Sequence, residues 1–377
     1  MPAMHQGAEQ VLPTFITHLN LPWTKPQLKN FLQVGTAFFR ERSAPIRRLA
    51  RALAGPTRAH RHTDKRLRRF LGNEKLDREG ALQALLAFLL PRFAAPAYIP
   101  VMLDWLHVGT AKAILVLHIP YRGRSFPLWS AVHPWAGNTD MSEHEQEALR
   151  ALRRAWPKTG PQPLLLADRG FAKSPFLQWL HEENWQYVIR VRHRTVLRDA
   201  TGERLDPRAA VGVGEVGLFP HVTYHSAEQI PGHLAVTCQL DRQGKPSYWL
   251  LLGNLDPSQL RFFPRLYAHR MSPEETHRDY KRGHFVSGFS VSHLTRMKDL
   301  RLENLLCCMN LLYALLVLVA ETDRETRAWL KKRHWGLSLA TFALNLLAAA
   351  GKSARRLIKQ ALDSVKLEPL WLQSGDS

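Results

Sequence analysis

Between residues 98 and 135 the chain passes through three largely apolar runs, YIPVMLD (98–104), AKAILVLHIPY (111–121) and SFPLWSAVHPW (125–135), separated by glycine-containing breaks. Apolar, partly β-branched runs of this length predict consecutive antiparallel strands. The period then changes. MSEHEQEALRALRRAW puts Leu149, Leu152 and Trp156 on one helical face and opens with Ser142 and Glu145 at capping-box spacing. PLLLADRGF predicts a short buried strand ending at Asp168, SPFLQWLHEENW a helix, and QYVIRVR (186–192) a further strand. The predicted order, β-β-β-α-β-α-β, is that of an α/β layer. From 193 to 262 turn residues separate short runs such as LAVTCQL and PSYWLLLGNL, with DRQGKP between them, which predicts a mainly β insertion. Helical patterning resumes at RFFPRLYAHR and continues through RLENLLCCMNLLYALLVLVA, RETRAWLKKRHW and LSLATFALNLLAAA.

Two short helices precede the strands. SAPIRRLARALAG has Ser43 as its predicted cap and Gly55-Pro56 as its stop, and TDKRLRRFLGN is predicted to start at Thr63 and end near Gly72-Asn73. Arg47, Arg48 and Arg51 lie on the first, Lys65, Arg66, Arg68 and Arg69 on the second, with few acids between. Charge makes this pair informative. The 377 residues carry 52 Lys plus Arg against 32 Asp plus Glu, a formal net charge of +20. So basic a surface seeks polyanions, nucleic acid before anionic membrane. Two basic helices joined by a turn are compatible with a major-groove reader of duplex DNA.

Other classes lose ground. Three cysteines, Cys238, Cys307 and Cys308, provide no disulfide framework and no C-x-x-C zinc site, which fits a reducing cytoplasm. The N-terminus lacks the pattern of a secretory signal. LLCCMNLLYALLVLVA is short for a membrane span and contains Asn310, so a buried core helix is expected. GVGEVG (212–217) satisfies a dinucleotide fingerprint only formally, because no helix follows it. A glycine-rich β turn is expected, with no nucleotide cofactor.

The chemistry concentrates at three acids. Asp104 is predicted to end the first strand and Asp168 the fourth. Where those strands are neighbours, their carboxylates meet at one sheet edge, and Glu274 from a crossing helix would complete a set of hard oxygen ligands suited to Mg²⁺ or Mn²⁺. Such a set supports phosphodiester cleavage and transfer with two metal ions. Asp140 is the alternative first acid and Glu275 the alternative third. Tyr267, Arg270, Glu274 and Lys281 also share a stripe: at about 100° per residue they fall within about 60° of arc on an unbroken helix. Ser272-Pro273 intervenes, and it predicts that a new helix starts there, with Tyr267 and Arg270 on the preceding turn.

ADRGF, QYVIRV, a β insertion and then Tyr267, Arg270, Glu274 and Lys281 at fixed spacing, with RMSPEETHRDYK and RLENLLCCMNLLYALL around them, resemble the DDE transposases of bacterial insertion sequences. The likeness is to the branch with a Tyr-Arg-Glu-Lys pattern, over about residues 95–320. The resemblance implies an RNase H-like catalytic core with a β-strand insertion, flanked by helical N- and C-terminal regions. It implies Asp104, Asp168 and Glu274 as catalytic, metal-binding acids, and Tyr267, Arg270 and Lys281 as contacts to DNA phosphates. The organisation expected on this basis is a basic DNA-binding region at 1–92, core at 93–192, insertion at 193–262, core with the Glu helix at 263–320 and a C-terminal helical region at 321–377 that supports dimerisation. The expected activity is Mg²⁺- or Mn²⁺-dependent cleavage at inverted-repeat transposon ends and strand transfer into target DNA, by a cytoplasmic bacterial homodimer. Two alternatives are a metal-dependent nuclease without strand transfer and an inactive DNA-binding relative. Trp249, within the insertion, is a candidate for stacking on an unpaired base or for the core.

Overall fold

A computed structural model of the chain describes residues 12–54, 60–94, 96–135, 141–192, 196–225, 227, 229–281, 289–323, 339–350 and 353–367. Asp140, the 324–335 helix expected from RETRAWLKKRHW, Gly55-Pro56 and the side chain of Glu275 lie outside the description.

The three apolar runs form β1 (Tyr98–Val108), β2 (Lys112–Tyr121) and β3 (Arg124–Pro134), an antiparallel meander. β2 is buried from Ala113 through Tyr121, so both of its faces are covered, which explains why its sequence is a continuous apolar run. Two helix-linked strands follow on the other side of β1: β4 (Gln162–Ala167) and β5 (Gln186–Arg190), each parallel to its neighbour. The helices between them, α6 (Ser142–Ala155) and α7 (Ser174–Glu182), sit where the periodicity predicts. Within α6, Leu149 and Leu152 are buried, and so is Trp156 just past its end.

The capping box is not made. Ser142 is the first helical residue, its hydroxyl receives a hydrogen bond from Lys173 at 3.2 Å, and Glu145 turns away to accept from the Trp105 indole at 3.1 Å. Tertiary partners have outcompeted the local motif.

The insertion is β-rich and it extends the same sheet. Strands β6 (Leu197–Arg198), β7 (Val216–Tyr224), β8 (Ile230–Leu240) and β9 (Pro246–Gly253) run antiparallel, and β9 docks beside β5, giving the order β3-β2-β1-β4-β5-β9-β8-β7-β6. GVGEVG is a turn entering β7: Gly214 has φ +86° and its N–H donates to the Cys238 carbonyl at 2.8 Å. DRQGKP closes the β8–β9 hairpin, with Gly244 at φ +76°.

Helices wrap this sheet. Near the N-terminus lie a helix over 12–19 (α1), α2 (Lys25–Glu41), α3 (Ile46–Ala54), α4 (His60–Leu71) and α5 (Arg78–Leu89). The two basic helices exist, but their starts differ from expectation. Thr63 lies inside α4, and Ser43 is buried against Ser290 while the Pro45 carbonyl receives the first N–H groups of α3. Ile46, Leu49 and Ala50 of α3 and Leu67, Phe70 and Leu71 of α4 face inward, so Arg47, Arg51, Lys65, Arg66 and Arg69 remain exposed, with Arg48 and Arg68 half-buried. Arg68 is ion-paired to Asp64 at 2.6 Å.

The short helix α8 (Phe263–Ala268), a 3-10 turn (His269–Met271) and α9 (Ser272–Lys281) carry the Tyr-Arg-Glu-Lys residues. Helix α10 (Asp299–Glu321) is long and apolar enough to cross a membrane, yet most of it is buried as the central helix of this core. It packs on β3 and on α2, and α11 (Leu339–Ala350) and α12 (Ala354–Ser364) pack on it. A side-chain carbon on Gly35 of α2 would lie 3.0 Å from Leu312 and closer still to Leu12, so the helices meet there through a glycine.

Gly253 joins the insertion to the core at a similar point, since a Cβ there would stand 2.6 Å from the Tyr187 carbonyl oxygen and from the Phe263 ring. Backbone cannot yield as a side chain can. Gly253→Ala should cost about 1–3 kcal/mol of stability, seen as a lowered thermal midpoint in calorimetry; an unchanged midpoint would mean that β5, β9 and α8 are not packed this closely.

Candidate active site

Parallel pairing sets the site. β1 and β4 are in register from Tyr98↔Gln162 to Met102↔Leu166. Two residues further along each chain stand Asp104 and Asp168, side by side past the carboxyl end of β4, the usual position for ligands in such sheets. Asp104 was expected to end its strand and does not. β1 continues to Val108 because Trp105 through Val108 still pair with β2. What ends at Met102 is the pairing with β4.

The DRGF segment shapes Asp168. The Gly170 N–H donates to Asp168 Oδ1 at 2.7 Å, and a Cβ on Gly170 would lie only 3.0 Å from that oxygen. Glycine therefore lets the turn close on the carboxylate and leaves Oδ2 facing the site.

Glu274 arrives on α9, which is anchored from beneath. Tyr280 donates to Asn310 of α10 at 2.9 Å, the Tyr313 hydroxyl of α10 donates to Asp279 at 2.8 Å, and the Ser125 N–H of β3 donates to Thr276 Oγ1 at 3.0 Å. Thr276, Asp279 and Tyr280 are all buried. Because α9 starts at Ser272, with Pro273 in its first turn where a missing N–H costs nothing, the stripe of four is not one helical face. Tyr267 lies on α8, Arg270 on the 3-10 turn, Glu274 and Lys281 on α9.

Arg270 is where these elements converge. Its Nη2 lies 3.2 Å from Asp104 Oδ1 and 3.1 Å from Asp168 Oδ2, and its Nη1 lies 3.3 Å from Glu274 Oε1. One guanidinium thus bridges all three acids. Burial works against its charge, but Asp104, Asp168, Tyr267 and Glu274 around it hold its pKa above the ordinary value. Asp104 shows the opposing strain. Its carboxyl is pushed up to about 6, first by burial, against the pull of Arg270, and further by Asp168 and Glu274.

The acids are gathered but not closed into a cage. Among the described residues no three His, Cys, Asp or Glu side chains stand ready to hold one metal ion, because the guanidinium fills the middle. The donors nevertheless fit a hard divalent cation. They are carboxylate oxygens at a sheet edge, Asp168 and Glu274 are partly solvent-exposed, and the positive charge they share at present is the Arg270 side chain.

Tyr267 is buried, its ring 5.2 Å from Trp249 in an edge-on contact. Trp249 therefore belongs to the packing that fixes α8. The Tyr267 phenol, whose pKa burial raises, neighbours Arg270 and Arg190. Lys281 is exposed at the end of α9. The basic residues of α3 and α4 are not part of this cluster.

Two features escaped the sequence. A groove of about 730 Å³ opens beside Asp168, with Arg169, Arg190, Arg192 and Arg208 along it and Tyr248 at its wall. The alternating Arg190 and Arg192 of QYVIRVR were its one visible sign. The second is a buried polar chain, Asp104–His277–His118–Ser125–Thr276, in which His118 and His277 lie Nε2 to Nε2 at 3.0 Å. Burial holds the pKa of both imidazoles down, that of His277 to about 3. Nothing in the spacing of residues 118, 125 and 277 announces it.

Against this geometry a family comparison is decisive. Residues 108–286 match the family model described as the transposase DDE domain. This chain carries a transposase DDE domain. The match takes in Asp168, Tyr267, Arg270, Glu274 and Lys281 and begins just after Asp104, which the β1–β4 register adds to the site. No curated protein matches the chain. The matched segment spans β2–β9, with α6–α9 between and after them, while β1 lies almost wholly ahead of it.

The raised Asp104 pKa has a stability consequence in metal-free protein. The folded state holds this proton more tightly than the unfolded chain, so the favourable contribution is complete below pH 4 and is lost as pH rises through about 6. Asp104→Asn should therefore gain about 1–3 kcal/mol on wild type between pH 4.5 and pH 7.5, measured by urea denaturation with chelator present. A gap independent of pH would mean that Asp104 ionises normally.

Proposed function

We propose that this protein is the transposase of a bacterial insertion sequence that cleaves DNA at the inverted repeats of its element and joins the released 3'-hydroxyl to target DNA. The observation that carries the reading is the convergence of Asp104, Asp168 and Glu274 on one point at the carboxyl edge of the sheet, inside and beside a transposase DDE domain. The strand order β3-β2-β1-β4-β5, with β4 and β5 parallel to β1, supports an RNase H-like core, and β6–β9 are the insertion that extends it.

Asp104, Asp168 and Glu274 would hold Mg²⁺ or Mn²⁺, which supplies activation of the attacking oxygen and stabilisation of the leaving oxygen in an in-line phosphoryl transfer. The chain's own residues do the rest. Arg270 neutralises the acids in the absence of substrate. On binding DNA it turns its fork to a phosphate, for which bidentate geometry suits it. Lys281 adds a charge at the exposed end of α9, and the Tyr267 phenol, its ring locked by Trp249, neighbours Arg270 and Arg190. Arg169, Arg190, Arg192 and Arg208 line the path by which a DNA backbone leaves Asp168.

The basic residues of α3 and α4, exposed at Arg47, Arg51, Lys65, Arg66 and Arg69 and half-buried at Arg48 and Arg68, form the surface that meets the transposon end. Two ends require two copies, so the working assembly is a homodimer, acting on chromosomal DNA in the cytoplasm. A nuclease of the same architecture would cleave without forming new joints.

The test uses purified protein with Mg²⁺ or Mn²⁺ and a plasmid carrying the DNA that flanks the gene, beside Asp168→Asn and Glu274→Gln. Metal-dependent breaks at paired inverted repeats and joined products are expected from wild type, with losses of at least about a thousandfold in each variant. Breaks without joints would leave the nuclease, and binding without any break would remove the catalytic reading.

A further inference from the structure

The buried histidine pair has a proton count that determines what faces Asp104. Ser125 Oγ donates to Thr276 Oγ1 at 2.9 Å, so its oxygen accepts the Nδ1–H of His118, 2.9 Å away. His118 Nε2 then carries a lone pair. The hydrogen-bond network thus assigns the single proton between the two Nε2 atoms, 3.0 Å apart, to His277. At 3.6 Å from Asp104 Oδ2, His277 Nδ1 makes no hydrogen bond to that oxygen, the arrangement of a ring whose proton is on Nε2 and whose Nδ1 presents a bare lone pair. Two acceptors face each other. His277 is only 7% exposed, and the other Asp104 oxygen is occupied by the Trp105 N–H and Arg270. An acceptor pair in so dry a place is held apart by repulsion until a cation stands between them.

We propose that His277 Nδ1 is a nitrogen ligand, together with Asp104, of the divalent cation at this site, and that His118 fixes its tautomer. The inference rests on the cation-binding reading above and extends it to a residue outside the carboxylate triad. A separation of 3.6 Å is one that two donors, each about 2.1 Å from the same ion, can span. A ligating histidine usually gives its second N–H to a buried acceptor that sets ring orientation, and His118 Nε2 fills that role here. One imidazole among oxygens also biases the site. Nitrogen donors favour Mn²⁺ and its heavier neighbours, whereas Mg²⁺ gains little from them.

The experiment is electron spin-echo spectroscopy of Mn²⁺ bound to the full-length protein, made with natural-abundance and with ¹⁵N-labelled histidine. Modulation from ¹⁴N should be present and should change on labelling. It should vanish in His277→Gln and persist in His107→Gln, an exposed neighbour. Titration calorimetry should find Mn²⁺ binding weakened about tenfold in His277→Gln, with Mg²⁺ weakened less. The labelled wild type needs no variant to fold. Bound Mn²⁺ without histidine modulation would overturn the proposal while leaving the carboxylate site intact. Failure of wild type to bind Mn²⁺ at all would overturn both.

Discussion

Everything at the site depends on the register of one parallel strand pair. Met102 opposite Leu166 means that Asp104 and Asp168 extend side by side, two like charges that would repel if nothing stood between them. Arg270 stands between them, reaching Glu274 as well. The guanidinium is drawn to this point by negative charge and held there by the 3-10 turn linking α8 to α9. Those two helices are in turn fixed by Trp249 on one side and by Asn310, Tyr313 and Ser125 on the other. The long apolar helix α10 thus has a purpose beyond filling a core. It supplies the platform that aims α9 at the sheet edge.

In the proposed function Arg270 is a resting substitute for the metal ion, because it answers the same electrostatic demand. Three carboxylates, one of them the desolvated Asp104, require positive charge, and one guanidinium meets it with three ion pairs. The same arginine suits phosphate, so in the proposed reaction the arrival of cation and DNA would offer each group a better partner than it has at rest. The insertion contributes by continuing the sheet past β5. That continuation builds the arginine-lined groove next to Asp168, on a surface that a separate domain would have left open.

The strand and helix succession from 98 to 190 was legible because β1–β5 are apolar runs bounded by glycine and polar breaks, and because α6 and α7 have a clean helical period. Spacing and the family resemblance singled out Asp168, Glu274 and Arg270, and the fold brings the three side chains together. Several details were not. Asp104 sits mid-strand because β2 keeps pairing after β4 has stopped, a difference between two partners that a single sequence does not encode. Ser142, Ser43 and Thr63 carry capping chemistry, yet contacts with Lys173 and Ser290 redirected the first two, and Thr63 is buried inside α4. The four-residue stripe looked like one helix face, and Ser272-Pro273 divided it. His118 and His277 are far apart in sequence and meet only because α9 crosses β2 and β3.

The central claim is that Arg270 holds a place that belongs to a divalent cation. Calorimetric titration of Mn²⁺ into wild type and Arg270→Ala at pH 7 tests it most directly. With the competing guanidinium removed, Mn²⁺ should bind about tenfold more tightly, a difference of about 1.4 kcal/mol. Unchanged or weaker binding in Arg270→Ala would contradict the account, since the three acids would then owe their arrangement to the arginine alone.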